Sequence, residues 1–219
     1  MSSITARDPV AEAKARTEFL GWFQERITPT QLELLTIAYD LAALCHEGEF
    51  RESGAPYFTH CLETAKIVRS LELCEPDVEI VIAALLHDSQ EKEKPLSLEK
   101  IENIFGPRVV SLILAVTKPA KDDPAFASNL DRLTHYFRNL HQSEVAAMII
   151  RMADQLHNMR TLGFCKVEKQ RRKIGEVIRF HLGLLNRIFD LDPKAANFFR
   201  DEFHKAFVPF EAVFFEDEA

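Results

Sequence analysis

The stretch EPDVEIVIAALLHDS, residues 75–89, decides the fold. From Val78 to Leu86 only Glu79 is polar, so a helix here is apolar nearly all round. Such a helix has no face to offer water and belongs in the middle of a bundle. It starts behind Pro76 and runs directly into His87 and Asp88, followed by the charged burst QEKE (90–93). An imidazole and a carboxylate at the end of a buried helix are either polar caps or part of a site.

Proline, glycine and capping residues cut the rest of the chain into helix-sized pieces. A first helix is expected over 8–27, with Asp8 as N-cap and Pro9 in its first turn. A second runs from about 29 to Gly48, with Leu32, Leu35, Ala38 and Leu41 on its apolar side. FRESGAPY (50–57) reads as a loop, and a third helix follows from Phe58. Ser97 and Gly106 bracket a short helix, and the next begins behind Pro107. KPAKDDPAFAS (118–128) reads as a surface loop before a helix over 130–142. Ser143 and Gly163 mark the ends of the helix after it, a long helix spans about 166–190, and a Phe-rich helix starts at 193. No segment alternates with period two for long enough to make a strand. The expectation is an all-α, single-domain helical bundle.

A formal charge of −7 argues against a general nucleic-acid or anionic-membrane binder. An anionic small substrate stays open, because a metal and a few arginines reverse the field locally. Cys45, Cys61, Cys74 and Cys165 form no CxxC pair, and three lie in apolar helical settings, which favours free thiols in a reducing compartment. The N-terminus lacks an apolar signal core and no apolar run reaches membrane-spanning length, so a cytoplasmic protein is expected.

Four polar residues stand where polarity is expensive. His60 opens the third helix, His87 and Asp88 end the central one, and Asp154 lies inside AAMIIRMADQLHNM (146–159). A buried carboxylate there must be paired, hydrogen-bonded or metal-bound. Two imidazoles and two carboxylates make a mixed N/O set suited to Mn²⁺, Fe²⁺ or Zn²⁺ with positions left open. Helix caps and a satisfied core aspartate are the structural alternative.

The order His…His-Asp…Asp resembles the HD phosphohydrolases, and its surroundings resemble the RelA/SpoT-type (p)ppGpp hydrolase domain. RESGAPYFTH (51–60) is similar to that family's R-x-S-G-x-P-Y-x-x-H segment, and AALLHDSQE (83–91) to its A-A-L-L-H-D-x-x-E. FGPRVVSLILAVTK (105–118) and RMADQLHNMRTL (151–162) resemble its next two motifs. The resemblance implies a stand-alone small alarmone hydrolase that removes the 3′-pyrophosphate of (p)ppGpp, usually with Mn²⁺, since 219 residues leave no room for a synthetase domain. It divides the chain into a helical extension (1–29), an HD hydrolase core (30–192) and a C-terminal helical tail (193–219). It also implies His60, His87, Asp88 and Asp154 as metal ligands, and Arg51, Asn158, Thr161 and Arg171 as substrate contacts. Glu91 would orient or deprotonate the attacking water. His157 is expected to pack or hydrogen-bond rather than ligate, and the tail phenylalanines to cover the core, with a dimer face as the other option.

Three positions depart from the family pattern. Lys92 stands where a second acid is usual, and the segment is one residue longer, which offers Glu93 as the acid; otherwise Lys92 takes the acid's place and activity is weak. Glu52 replaces a frequent lysine, and Gln155 replaces an arginine. These losses of positive charge keep two further readings open: a hydrolase of another nucleotide, such as the 2′-phosphate of NADPH, and a catalytically weak alarmone-binding protein.

Overall fold

The computed structural model describes residues 9–71, 77–91 and 95–211. Their regular structure is helical, with one isolated bridge between Phe50 and Pro56. The helices are α1 (Pro9–Gly21), α2 (Pro29–Cys45), α3 (Phe58–Arg69), α4 (Val78–Leu86), α5 (Leu98–Phe105) and α6 (Pro107–Val116). They continue with α7 (Asn129–Gln142), α8 (Val145–Arg160), α9 (Val167–Glu176), α10 (Leu182–Leu191) and α11 (Pro193–Phe207). The chain is an all-α bundle, as its apolar periodicity requires.

Helix α4 is the axis of that bundle. Val78 and every residue from Ile80 to Leu86 are buried, and α2, α3, α6 and α8 pack around them. Asp77 caps the helix by accepting from the Ile80 amide at 3.2 Å. Its start is tied to the bundle by Arg108, which donates to Asp77 (3.0 and 2.8 Å), Glu79 (2.7 Å) and Glu144 (2.5 Å). One guanidinium thereby links α4, α6 and the turn before α8. The other end of α4 points its last residues at the polar cluster described below.

The terminal helices join the same core. Phe19 and Phe23 are fully buried beside Tyr39 of α2, and Phe199 and Phe203 of α11 are buried with Phe210. Phe198 and Phe207 pack partly buried against that core. The tail phenylalanines therefore cover the core, as their spacing suggested.

Several boundaries differ from the sequence reading. Helix α1 stops at Gly21 rather than continuing to 27, and the turn that follows tucks Phe23 inward. Thr28 then caps α2 in a reciprocal pair with Gln31. Ser143 does not cap α8: its hydroxyl donates back to the Leu140 carbonyl (2.7 Å) and closes α7. Gly163 sits in a short turn without positive φ, so it is not a left-handed helix stop. The expected helix over 166–190 is interrupted by a π-helical turn at Val177–His181, which stacks Phe180 on Phe137 and buries His181. Asp8, Cys74 and Pro76 lie outside the described residues; Cys45, Cys61 and Cys165 are free thiols. Among the described residues no helix is long and apolar enough to cross a membrane.

Gly106 joins α5 to α6 at φ +90° and ψ 166°, a conformation open mainly to glycine. An added Cβ there would meet only Glu79 Oε1, at 3.9 Å, so any penalty is in the backbone. Gly106→Ala is expected to lose about 1–3 kcal/mol in a urea titration. Gly163→Ala, with nothing within 4 Å of its Cβ, should stay within about 0.5 kcal/mol of the parent. Equal losses at both positions would contradict this assignment.

Candidate functional site

Three local structures deliver the site. The loop before α3 is closed by Arg51 N–H to the Ala55 carbonyl (2.9 Å) and Gly54 N–H to the Arg51 carbonyl (2.9 Å). Gly54 takes φ +83° to make that turn, and the loop feeds His60 into the first turn of α3. At the end of α4 the chain leaves the apolar run and presents His87 and Asp88 in a turn. Helix α8, buried along almost its whole length, carries Arg151, Asp154, His157 and Asn158.

These elements bring the four expected ligands together. His60 Nε2 lies 3.1 Å from Asp154 Oδ1 and 3.6 Å from Asp88 Oδ2. His87 Nε2 lies 3.3 Å from Asp88 Oδ1 and 3.9 Å from Asp154 Oδ1. One atom each from His60, His87 and Asp88 falls within 4.8 Å of the others, a spacing that can hold one metal ion.

The hydrogen bonds set which atoms face the cluster. His87 Nδ1 lies 2.8 Å from the Ala84 carbonyl, which can only accept, so Nδ1 carries the proton. The Nε2 lone pair is then left aimed at the cluster, and that buried atom has no hydrogen-bond partner among the described residues. This orphaned nitrogen among two carboxylates is what a metal site requires of its free form. His60 also turns Nε2 inward, but toward a carboxylate that can only accept: Nε2 lies 3.1 Å from Asp154 Oδ1, and Nδ1 2.7 Å from His157 Nδ1. Burial lowers the His157 pKa to about 3, and His60 beside it pushes the same way, so His157 stays neutral. Burial also lowers His60, against the opposing pull of Asp154.

Both carboxylates are held ionised. Burial pushes Asp154 up, but Arg151, His60 and His87 outweigh it and keep the carboxyl well below its ordinary value. Arg151 takes Asp154 Oδ2, and Asn158 Nδ2 donates to Oδ1 at 2.6 Å. Burial likewise opposes Asp88, and His87 and His60 overcome it. The Tyr57 hydroxyl donates to Asp88 Oδ2 at 2.7 Å, and burial together with Asp88 keeps that phenol protonated.

A cavity of about 380 Å³ opens over the cluster. Arg51, Asn158 and Thr161 form one connected wall, Arg51 donating to Asn158 Oδ1 at 2.7 Å and lying 3.5 Å from Thr161 Oγ1. Glu91 also lines the cavity, its Oε1 accepting from the Lys118 amide at 3.4 Å. Lys92 and Glu93 lie outside the described residues. Lys118, Lys169 and Lys173 also line the cavity. Burial brings the Lys118 ammonium down to about 8, helped by Arg151.

Arg171 needs correction: it is exposed and is not part of the cavity wall. Residues four apart share a helix face, so Lys169 and Lys173 point together while Arg171 faces away. The sequence reading also gave no role to Arg151, Tyr57 or Lys118. Arg151 had a visible signal, a charge three residues before Asp154 on an otherwise apolar helix. Nothing local announced that Lys118, at the start of an expected surface loop, turns into the cavity.

A family model for the HD domain matches residues 38–180. The chain belongs to the HD-domain family. It is 33% identical over 168 residues to the bifunctional (p)ppGpp synthase/hydrolase SpoT of Escherichia coli K12, covering 75% of this chain and 23% of that protein. It is 35% identical over 151 residues to the guanosine-3′,5′-bis(diphosphate) 3′-pyrophosphohydrolase of Haemophilus influenzae, covering 68% and 21%. The HD-domain chain thus spans less than a quarter of the length of these curated relatives. Its fold matches the solved structure of a metazoan ortholog of SpoT that hydrolyses ppGpp, with a TM-score of 0.61 at 24% identity, over 82% of this chain and 96% of that one.

Removing Arg151 would leave the Asp154 carboxylate buried without its main counter-charge. Arg151→Met is expected to cost about 3–5 kcal/mol in urea unfolding at neutral pH without added metal. Arg151→Met/Asp154→Asn should recover much of that loss. Because the folded Asp154 pKa is depressed, its stabilisation is present above about pH 4 and fades as pH falls through the lowered value. A harmless Arg151→Met would show that Asp154 draws its compensation from elsewhere.

Proposed function

We propose that this HD domain is a metal-dependent hydrolase that removes the 3′-pyrophosphate of guanosine alarmones, converting ppGpp to GDP and pppGpp to GTP. The observation that carries this reading is His87 Nε2, which has no hydrogen-bond partner among the described residues and lies beside His60, Asp88 and Asp154, three residues that line the cavity with Arg51, Lys118 and Lys173. The named activities of the relatives point the same way. In this reading residues 30–192 form the hydrolase core, flanked by the helical segments 1–29 and 193–219, in a cytoplasmic protein.

His60, His87, Asp88 and Asp154 would hold a divalent ion, which we take to be Mn²⁺. When bound, the ion would lower the pKa of water and polarise a phosphoryl oxygen. The chain's own groups do the positioning. Ala84 and His157 fix the two imidazoles with Nε2 inward, and Tyr57 and Arg151 each hold one carboxylate oxygen. Arg51, anchored on Asn158, presents a planar cation to the nucleotide, and Thr161 lies on the same wall. Lys118 and Lys173 supply positive charge to the polyphosphate.

In the reaction, a water oxygen forms a bond to the phosphorus next to O3′, and the P–O3′ bond breaks. Glu91, with Glu93 as a second acid, takes the proton from that water. O3′ leaves as the free hydroxyl with a proton from solvent, to which the carboxylic acid releases its own, and pyrophosphate departs. A carboxylate hydrogen-bonded through Oε1 to the Lys118 amide keeps Oε2 for this proton.

The test is release of pyrophosphate from ppGpp by the purified protein across a panel of divalent metals, with NADPH as a competing substrate. GDP and pyrophosphate should form with Mn²⁺, and Asp88→Ala should lower turnover at least about 10³-fold. Release of phosphate from NADPH without action on ppGpp would replace the substrate assignment. No turnover on any nucleotide would overturn the enzymatic reading.

A further inference from the structure

The cavity lining is chemically mixed. Its floor holds His60, Asp88 and Asp154, and Lys118 and Lys173 supply cations to the walls. The lining also includes Phe50, Leu162 and Cys165, which are non-polar. Leu162 is buried and Phe50 is 45% exposed, so an aromatic ring that lines the cavity is accessible. Arg51 adds a second flat surface, with its guanidinium 5.6 Å from the Tyr57 ring and anchored on Asn158. A base stacks on surfaces of this kind, whereas phosphates belong with the lysines and the metal.

Glu52 follows Phe50 and Arg51 directly in the chain and lines the same cavity. Lys169 Nζ donates to its Oε2 at 2.7 Å, and the Cys165 thiol donates to that same oxygen. Two partners therefore fix the carboxylate through Oε2, while no described residue donates to Oε1. The thiol hydrogen bond and Lys169 also hold Glu52 below its ordinary pKa, so it stays an acceptor.

We propose that Glu52 reads the base, its carboxylate accepting from the N1–H and 2-amino group of a guanine stacked between Phe50 and Arg51. Guanine presents those two donors side by side. Adenine presents the N1 lone pair at the corresponding place, which a carboxylate repels. The site would therefore select guanine nucleotides over adenine nucleotides. Lys169 is then a positioning residue, acting through Glu52. The inference rests on the proposed function for the direction in which the nucleotide lies.

The test is calorimetric binding of GDP, IDP and ADP to the Mn²⁺-loaded protein and its variants, with ppGpp turnover measured separately. The parent should bind GDP about 10- to 100-fold more tightly than ADP, the range of a hydrogen bond to a charged group, with IDP between them. Glu52→Gln and Glu52→Ala should bring GDP and ADP to within about threefold of each other, while far-ultraviolet circular dichroism stays unchanged. Lys169→Met should weaken GDP and IDP more than ADP and so reduce the preference part of the way, because the Cys165 thiol still holds Glu52 Oε2. Equal affinity of the parent for GDP and ADP would overturn the inference, as would absence of binding or a preference that survives Glu52→Ala. A Glu52-dependent preference in a protein inert toward ppGpp would refute the hydrolase reading and leave this one standing.

Discussion

The structure depends on the compensation of one buried carboxylate. Asp154 is buried mid-helix in α8, a helix whose Met148, Ile149, Ile150, Met152 and Leu156 are packed in the core. An isolated charge there would cost several kcal/mol even after relaxation. Arg151 on one oxygen, and Asn158 with His60 on the other, make the position tolerable. The groups that compensate the charge arrive from α3, α8 and the end of α4, so satisfying Asp154 and assembling the site are one event. This explains why the polar cluster sits at the contact of three well-packed helices rather than on mobile loops.

That arrangement needs a stiff support. Helix α4 supplies it, because it is buried on all sides and its start is pinned by Asp77 and Arg108. Its last turn then has little freedom, and the Ala84 carbonyl fixes the His87 ring. The site residues follow an order of dependence. The apolar helices fix the backbone, and Ala84, His157, Tyr57 and Arg151 orient the ring and carboxylate atoms so that they face one small volume. An attacking group and a substrate phosphate need only enter that volume.

Much of this was legible in the chain. The unbroken apolar run of α4, and a carboxylate inside the apolar α8, sufficed for a bundle with a polar focus. The motif resemblance added the partner residues His60, Arg51, Asn158 and Thr161, which the fold brings to one cavity. What stayed hidden depends on tertiary direction. Ser143 has the chemistry of an N-cap, yet its hydroxyl turns back onto α7, and Glu144, at the N-cap position, is bound to Arg108. Arg171 carries the right charge but stands two residues off the inward face of α9, and the fold selects Lys169 and Lys173 instead. Lys118 lies in a segment whose composition says only surface loop. Glu52 reads as a lost cation in the sequence, whereas in the structure Lys169 returns that charge to the same spot.

The central claim is that four side chains from α3, α4 and α8 form one divalent-metal site. Anomalous diffraction from crystals grown with Mn²⁺ tests it most directly. The account predicts one strong peak in bonding range of His60 Nε2, His87 Nε2 and a carboxylate oxygen from each of Asp88 and Asp154, with His87 Nδ1 still on the Ala84 carbonyl. A crystal saturated with Mn²⁺ that shows no peak there, or shows the ion held elsewhere, would contradict it.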